Sequence, residues 1–427
     1  MNTETQKRQG RDLKLVTALD VGTSMVRCLI ASVDDAGHIK VIGTGNYVSA
    51  GVEKGAVVDL AAAEHSIRAA VDRAVKMAGV NIDSVIVNLS ASSQKSNIKE
   101  ISVNIAGQAV EQSDVNRALK EVARDVDPGD QLIVHAFPAC YSLDEAVGVA
   151  DPVGMYADNL SVALNLITAG SGPIRNLESS VGRAHLGVSR MVSSAYASGY
   201  ATLVGDEMDL GAAVIDMGAG STNIGVFAKG ALVYCAAVPI GGADLTRIIA
   251  RDLLTPLEDA ERIKALYGSV ATARPNVQDV INIPTLGEST AAQAGHQQVT
   301  RLQIAQAIEP KLIELFAAVN DKLNESGFGH VMGKRVVLTG GASQLSGVQE
   351  LAQRHLNKQV RIGRPTRLKG LPEKAYGEDY ATCVGLLLYA LRAPMELGEQ
   401  NARSKGSHHK EGGGFFSSIS NWLRERF

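Results

Sequence analysis

Ala212-Ala213-Val214-Ile215-Asp216-Met217-Gly218-Ala219-Gly220-Ser221-Thr222-Asn223 is the stretch whose reading decides the fold. Four apolar residues run into an aspartate, then into a turn of two glycines, a serine and a threonine. The pattern predicts a buried strand ending in a carboxylate. The turn that follows has almost no side chains, so its N–H groups can approach an anion closely. Ser221 and Thr222 add hydroxyl donors. A carboxylate beside a phosphate cradle repels the anion unless a cation stands between them. Mg²⁺ suits that place, because it is typically held by one or two carboxylates plus substrate phosphates. An ordinary glycine-rich hairpin would read the same way.

The pattern recurs. Leu15-Val16-Thr17-Ala18-Leu19-Asp20-Val21-Gly22-Thr23-Ser24 is again a strand, an aspartate, a glycine and hydroxyls, 196 residues upstream. A third turn, Val336-Val337-Leu338-Thr339-Gly340-Gly341-Ala342-Ser343, follows another apolar strand. Self-similarity on this scale predicts two related domains facing each other, each supplying one phosphate loop.

Composition narrows the classes. The 427 residues are 45% apolar and 20% charged, with a net charge of −3, as in an ordinary globular protein of two or more domains. Nothing in the charge balance argues for nucleic acid. Cys28, Cys140, Cys235 and Cys383 are far apart and form no C-x-x-C pair, so reduced buried thiols are expected rather than zinc or a redox motif. Residues 1–14 are polar and lack a signal peptide's apolar core, and no 18-residue apolar run occurs.

In chain order, 15–58 reads as a β-meander. Asp59 caps a helix ending at Gly79, and 85–89 is a short strand. Residues 91–170 break the pattern and read as an inserted α+β subdomain with a helix capped by Ser113; His135, in an apolar strand, reads as a satisfied core histidine. Beyond Asp216, Pro239-Ile240-Gly241-Gly242-Ala243-Asp244 feeds a helix whose first N–H groups are placed to face a phosphate. Glu261 and Lys264 share a helix face, which a solvated ion pair would also explain. The helix from Arg301 to Ser326 carries an apolar stripe, and Pro310 predicts a kink or restart in it. Gly385 is expected to permit close helix packing.

Residues 393–414 are polar and glycine-rich, a flexible linker reaching about 25 Å on average. Phe415, Phe416, Ile419, Trp422, Leu423 and Phe427 then follow helical spacing on one face, which predicts an amphipathic helix lying in a membrane interface. Docking back onto the chain's own domain is the alternative.

These residues together resemble the actin/sugar-kinase/heat-shock-chaperone ATPase superfamily, and within it the FtsA family of bacterial cell-division actin homologues. Asp20, Gly22, Thr23 and Ser24 resemble the first phosphate loop, and Asp216, Gly218, Gly220, Ser221 and Thr222 the second. Gly340, Gly341 and Ser343 resemble the adenosine motif, Gly241 and Gly242 the actin segment that precedes a helix, and Glu261 with Lys264 the pair at the adenosine end. The resemblance implies an α/β, actin-like (ribonuclease-H-like) two-lobed fold with a duplicated βββαβα core. Subdomain 1A would comprise 1–90, 171–206 and 376–392, the inserted 1C 91–170, 2A 207–242 and 306–375, and 2B 243–305, before the linker at 393–414 and the membrane helix at 415–427. It implies ATP with Mg²⁺ held through water by Asp20 and Asp216, the two tentative catalytic positions.

The same resemblance implies a peripheral protein that forms filaments on the inner, cytoplasmic face of the plasma membrane at the division site. It would bind anionic lipid, tether the FtsZ ring through the FtsZ C-terminal tail near Arg301, and meet later division proteins through the insert. Aligning Tyr196-Ala197-Ser198-Gly199 with the matching actin stretch puts Arg190 where actin carries a water-orienting glutamine on a helix. Hydrolysis is therefore expected to be slow or absent, since a cation cannot act as a base. The competing reading is a small-molecule kinase of the same superfamily, which would need a spare carboxylate as base. A pilus-associated actin relative would lack the amphipathic terminus. No Walker A loop is present, and Asn223 stands where a dinucleotide fingerprint needs its third glycine.

Overall fold

The computed structural model describes residues 14–124, 130–149, 151–270, 279–286, 296–329 and 332–392. The linker and the amphipathic segment expected at 393–427 lie outside the described residues.

The first lobe opens with a meander, β1 (Lys14–Val21), β2 (Met25–Val33) and β3 (Ile39–Val48), followed by a small hairpin, β4 (Val52–Glu53) and β5 (Ala56–Val57). Helix α1 (Leu60–Ala78) is set by its ends. Asp59 accepts the Ala61 and Ala62 N–H groups at 2.9 and 3.1 Å, and Gly79 stops the helix in the left-handed region at φ 67°. Strand β6 (Ser84–Leu89) then joins β1 in parallel.

The insert follows as β7 (Lys95–Asn104), α2 (Gln112–Arg124), β8 (Gln131–Leu143), β9 (Ala146–Val149) and β10 (Asn159–Gly170), a sheet ordered β7-β10-β8-β9. It has its own apolar core, including Val115, Leu119, Leu160 and Leu164. Helix α2 begins one residue before Ser113, so Ser113 is not its cap. Glu111 and Asp114 close the turn instead, Asp114 accepting the Glu111 N–H at 3.0 Å. The chain re-enters the first lobe through α3 (Ser171–Arg183), β11 (Gly187–Ser193) and α4 (Ser194–Thr202), giving the sheet order β11-β6-β1-β2-β3.

After α5 (Gly205–Leu210) the second lobe repeats that plan. Strands β12 (Ala212–Met217), β13 (Thr222–Ala228) and β14 (Ala231–Val238) form the meander. Then come α6 (Gly242–Asp252), α7 (Leu257–Tyr267), the hairpin β15 (Val280–Pro284) and β16 (His296–Thr300), and α8 (Arg301–Glu325). Strand β17 (Arg335–Thr339), α9 (Val348–Leu356) and β18 (Gln359–Ile362) complete a sheet ordered β14-β13-β12-β17-β18. Helix α8 runs through Pro310 without the restart that the proline allows. Pro310 is exposed, so the Gln306 carbonyl it cannot satisfy faces water, while the buried stripe Ile304, Ile308, Leu312, Leu315, Val319 and Leu323 holds the helix on the core.

The last described helix, α10 (Ala381–Arg392), returns to the first lobe and packs on α4 and β1. A Cβ at Gly385 would overlap the Ala197 carbonyl, so glycine is what lets α10 and α4 touch through their backbones. Both helices lie between the two sheets, in a core that takes residues from β1, β12 and β17. The cleft between the lobes opens at the ends of β1 and β12.

Candidate functional site

The two aspartates occupy equivalent places. Asp20 stands opposite Arg27 in the β1–β2 ladder, and Asp216 opposite Asn223 in the β12–β13 ladder. Each strand is buried along its length and delivers a carboxylate to the shared cleft, where both are only 6% exposed. Burial pushes Asp20 up to about 7, with Arg27 pulling it down and the charges of Asp216 and Asp379 adding to the rise. Burial likewise raises Asp216 to about 6, against the hydrogen bond that Thr382 Oγ1 donates at 2.9 Å and the more distant Arg27 charge. The guanidinium of Arg27 is 3.9 Å from Asp20 and 2.6 Å from Asp379, and it lies over the Tyr380 ring.

Two tight turns line the cleft between these carboxylates. Gly22 N–H bonds Met25 O at 3.1 Å, and Gly218 N–H bonds Ser221 O at 3.0 Å, the same closure in each lobe. At Gly220 the turns meet: a Cβ there would overlap Thr23 Oγ1 and lie 2.8 Å from the Lys54 nitrogen. Ser221 Oγ donates to Ser90 O at 3.2 Å, tying the second turn to the end of β6.

Most sequence-predicted residues line this one cleft: Asp20, Gly22, Thr23, Ser24, Asp216, Gly218, Gly220, Ser221, Gly242, Glu261, Lys264, Gly340 and Gly341. Three others do not. Thr222 alternates to the opposite face of β13 and donates to Ile240 O at 2.8 Å. Ser343 turns inward to Gly340 O at 2.7 Å. Gly241 sits behind the second turn, where its N–H bonds Asp244 Oδ2 at 2.9 Å. The expected open N-terminus of α6 is closed as well, because Gly242 N–H bonds Gly218 O at 2.9 Å and Ala243 N–H bonds Ala219 O at 2.8 Å. That helix end buttresses the turn instead of facing an anion.

At the far end of the cleft, Lys264 Nζ donates to Glu261 at 2.7 Å, Thr246 Oγ1 at 2.8 Å and Gly242 O at 2.9 Å. Ala265, Gly268, Ala342 and Leu345 line the cleft beside this polar pair and give that end an apolar wall. Arg190 is not among the residues that line the cleft. It sits on β11, not on a helix, with its guanidinium over the Tyr389 ring at 5.8 Å. A water-orienting position there would need a helix longer than α4, which starts only at Ser194. His135 is buried and accepts the Ser193 N–H at 3.0 Å, the satisfied core histidine its strand implied. Arg301 lies outside the cleft at the start of α8, 3.4 Å from Asp279.

Among the cleft residues outside the sequence reading are Arg27, Ser90, Asn223, Asp379 and Thr382. Arg27 and Asn223 had a signal, since each stands opposite an aspartate once the meander is paired. Asp379 and Thr382 had none, because they arrive from the far end of the chain.

Comparison with known proteins follows the same outline. A family model described as "Cell division protein FtsA" matches residues 213–385, and one described as "SHS2 domain inserted in FTSA" matches 91–168. The cell division protein FtsA of Rhizobium meliloti (strain 1021) is 40% identical over 424 residues, covering 97% of this chain and 95% of that protein. This chain belongs to the FtsA family. FtsA of Escherichia coli (strain K12) is 32% identical over 97% of this chain and 99% of its own length. This FtsA-family chain is thus a cell division protein with an actin-like fold, and residues 91–168 are its inserted domain. Among solved structures, the PilM–PilN type IV pilus biogenesis complex matches with a TM-score of 0.61 at 18% identity, over 88% of this chain and 98% of that one. MreB5 of Spiroplasma citri, bound to AMPPNP, matches with a TM-score of 0.52 at 10% identity, over 92% and 98%. These likenesses speak for the fold. Among the described residues of this FtsA-family chain, no helix is long and apolar enough to cross a membrane.

Proposed function

We propose that this FtsA-family protein binds ATP in the interlobe cleft and assembles on the inner face of the plasma membrane, where it anchors the FtsZ ring and recruits later division proteins. One observation carries the reading: two buried aspartates on equivalent strands line one cleft, where the glycine turns of the two lobes meet at Gly220.

The donor set fits a magnesium-bound triphosphate. Two buried carboxylates with raised pKa values, balanced by the one guanidinium of Arg27 lining the cleft beside them, are short of positive charge once ionised. No cluster of three or more His, Cys, Asp or Glu occurs among the described residues, so the cation would be held through water and phosphate. Mg²⁺ would neutralise the phosphates when bound. The chain's own residues do the rest: the turns at Gly22 and Gly218–Ser221 wrap the phosphates, and Glu261 and Lys264 flank the base. The AMPPNP held by the Spiroplasma citri relative of this fold supports the same ligand class.

The small-molecule kinase reading loses support at the base. Besides the aspartate pair, the carboxylates lining the cleft are Glu261, engaged by Lys264 and Thr246, and Asp379, engaged by Arg27. Membrane attachment rests on the amphipathic spacing of residues 415–427, and docking of the FtsZ tail near Arg301 on the family resemblance.

Liposome co-sedimentation with ATP tests the proposal. The full chain should pellet with anionic vesicles, and a chain ending at Gly412 should stay in the supernatant. Equal pelleting of both would remove the anchor.

A further inference from the structure

The two aspartates of the cleft are held differently. Asp20 faces a cation, the Arg27 guanidinium at 3.9 Å. Asp216 takes a neutral donor instead: Thr382 Oγ1 donates to its Oδ2 at 2.9 Å. The other oxygen, Oδ1, lies against Gly340, where a Cβ would overlap it. The carboxylate is thus placed from both sides, by a hydroxyl and by a glycine held at φ 85°. Thr382 lines the cleft beside it but stands on α10, which packs on α4 and β1 of the first lobe. A first-lobe helix therefore orients a second-lobe carboxylate.

A threonine on a helix can turn its hydroxyl back to the carbonyl four residues earlier. For Thr382 that carbonyl is Glu378 O, which already takes the Gly340 N–H at 3.1 Å and lies 3.2 Å from the Thr339 hydroxyl. The Asp216 carboxylate is the stronger acceptor and receives the proton. A hydroxyl has one proton to give. With it spent on Asp216, Thr382 has none for a phosphate oxygen, so its part is to hold the carboxylate and not the nucleotide. The neutrality of the donor matters. A lysine or arginine here would orient Asp216 and also cancel the charge that a cation needs. A hydroxyl fixes the group and leaves that charge in place.

Resting on the nucleotide reading above, we propose that Thr382 is a positioning residue for the cation of Mg·ATP, its hydroxyl holding Asp216 in the orientation that accepts a metal-bound water. Outer groups that orient a metal's ligands in this way set its affinity as much as the ligands do. Valine at 382 would fill the same space and leave Asp216 Oδ2 without its donor, so the effect of the hydroxyl is separable from that of packing. Serine would keep the hydroxyl and lose only a methyl group.

The test is the gain that Mg²⁺ gives to binding of a fluorescent ATP analogue by the full chain, taken as the ratio of Kd in EDTA to Kd in saturating Mg²⁺. T382V should lower that ratio at least about fivefold, the loss of one charge-assisted hydrogen bond. T382S should restore it to within about twofold of the parent. In a D216N background, T382V should leave the ratio where D216N alone puts it, because no charge remains to be oriented. If T382V fails to fold by circular dichroism, T382A against T382S decides in the same way. An equal loss of affinity with and without Mg²⁺ leaves the ratio intact, marks a merely structural threonine and overturns the proposal. Failure of T382S to restore the gain overturns it as well. A parent that binds the analogue but gains nothing from Mg²⁺ overturns it while the cleft reading stands. Absence of analogue binding by the parent in both buffers removes the cleft reading and this one together.

Discussion

Replacing Asp20 by Asn should stabilise the nucleotide-free protein at pH 8 relative to pH 5, although it removes a residue of the proposed binding site. Burial raises the Asp20 carboxyl from 3.8 to about 7 in the folded chain. A carboxyl raised on folding binds its proton more tightly in the native state. Its burden on stability therefore begins as pH passes the unfolded value and is complete above the folded one. One pKa unit corresponds to about 1.4 kcal/mol. The ionisable group then costs roughly 1.5 kcal/mol at pH 5 and about 4 kcal/mol at pH 8. Asparagine carries no such dependence; the attraction to Arg27 is already contained in the raised value, and whatever asparagine loses in packing is the same at both pH values. D20N minus parent should thus favour the variant by about 2.5 kcal/mol more at pH 8 than at pH 5. Urea unfolding followed by circular dichroism, in EDTA without nucleotide, measures this difference of differences. A value near zero, or one of opposite sign, would refute the argument that the two aspartates are a stored charge awaiting a cation. Adding Mg·ATP at pH 8 should then stabilise the parent and not the variant.

Three further outcomes follow from the geometry. G220A puts a methyl group into Thr23 and the Lys54 backbone, and should weaken binding of a fluorescent ATP analogue at least about tenfold while leaving far-UV dichroism unchanged. K264A removes the donor that joins Glu261, Thr246 and Gly242, and should weaken adenine nucleotide binding by about tenfold, with a smaller effect on inorganic triphosphate. E207A breaks the bond in which Arg361 donates to Glu207 at 2.5 and 2.8 Å, joining α5 to the end of β18. Arg361 is partly exposed, so the cost should be about 2 kcal/mol in thermal unfolding, less than for a fully buried pair. Arg361 lowers the Glu207 carboxyl, so that contribution is present above the usual glutamate range and fades as pH falls through the lowered value.

Much of this architecture was legible because it depends on local chemistry. Asp20 and Asp216 end apolar runs and precede glycines, a pattern with few structural solutions. Asp59 and Gly79 mark both ends of α1. Other parts depend on partners that the chain order hides. Asp379 meets Arg27 across 352 residues, and Thr382 meets Asp216 across 166, so no window around either aspartate contains them. Thr222 and Ser343 look like phosphate ligands by type, but strand alternation and a local turn point their hydroxyls at backbone carbonyls. Pro310 would break a helix in isolation, yet a buried stripe carries α8 past it. Arg190 stands at the offset of an actin helix position, but here that position is a strand, and a sequence offset does not survive the change of element.

Isothermal titration of the nucleotide-free chain with Mg·ATP, for the parent and for D216N, tests the cleft most directly. Saturable one-to-one binding by the parent, weakened at least about tenfold in D216N, is the predicted result, a loss of about 1.4 kcal/mol or more. No heat from the parent, or equal affinity in the two proteins, would contradict it.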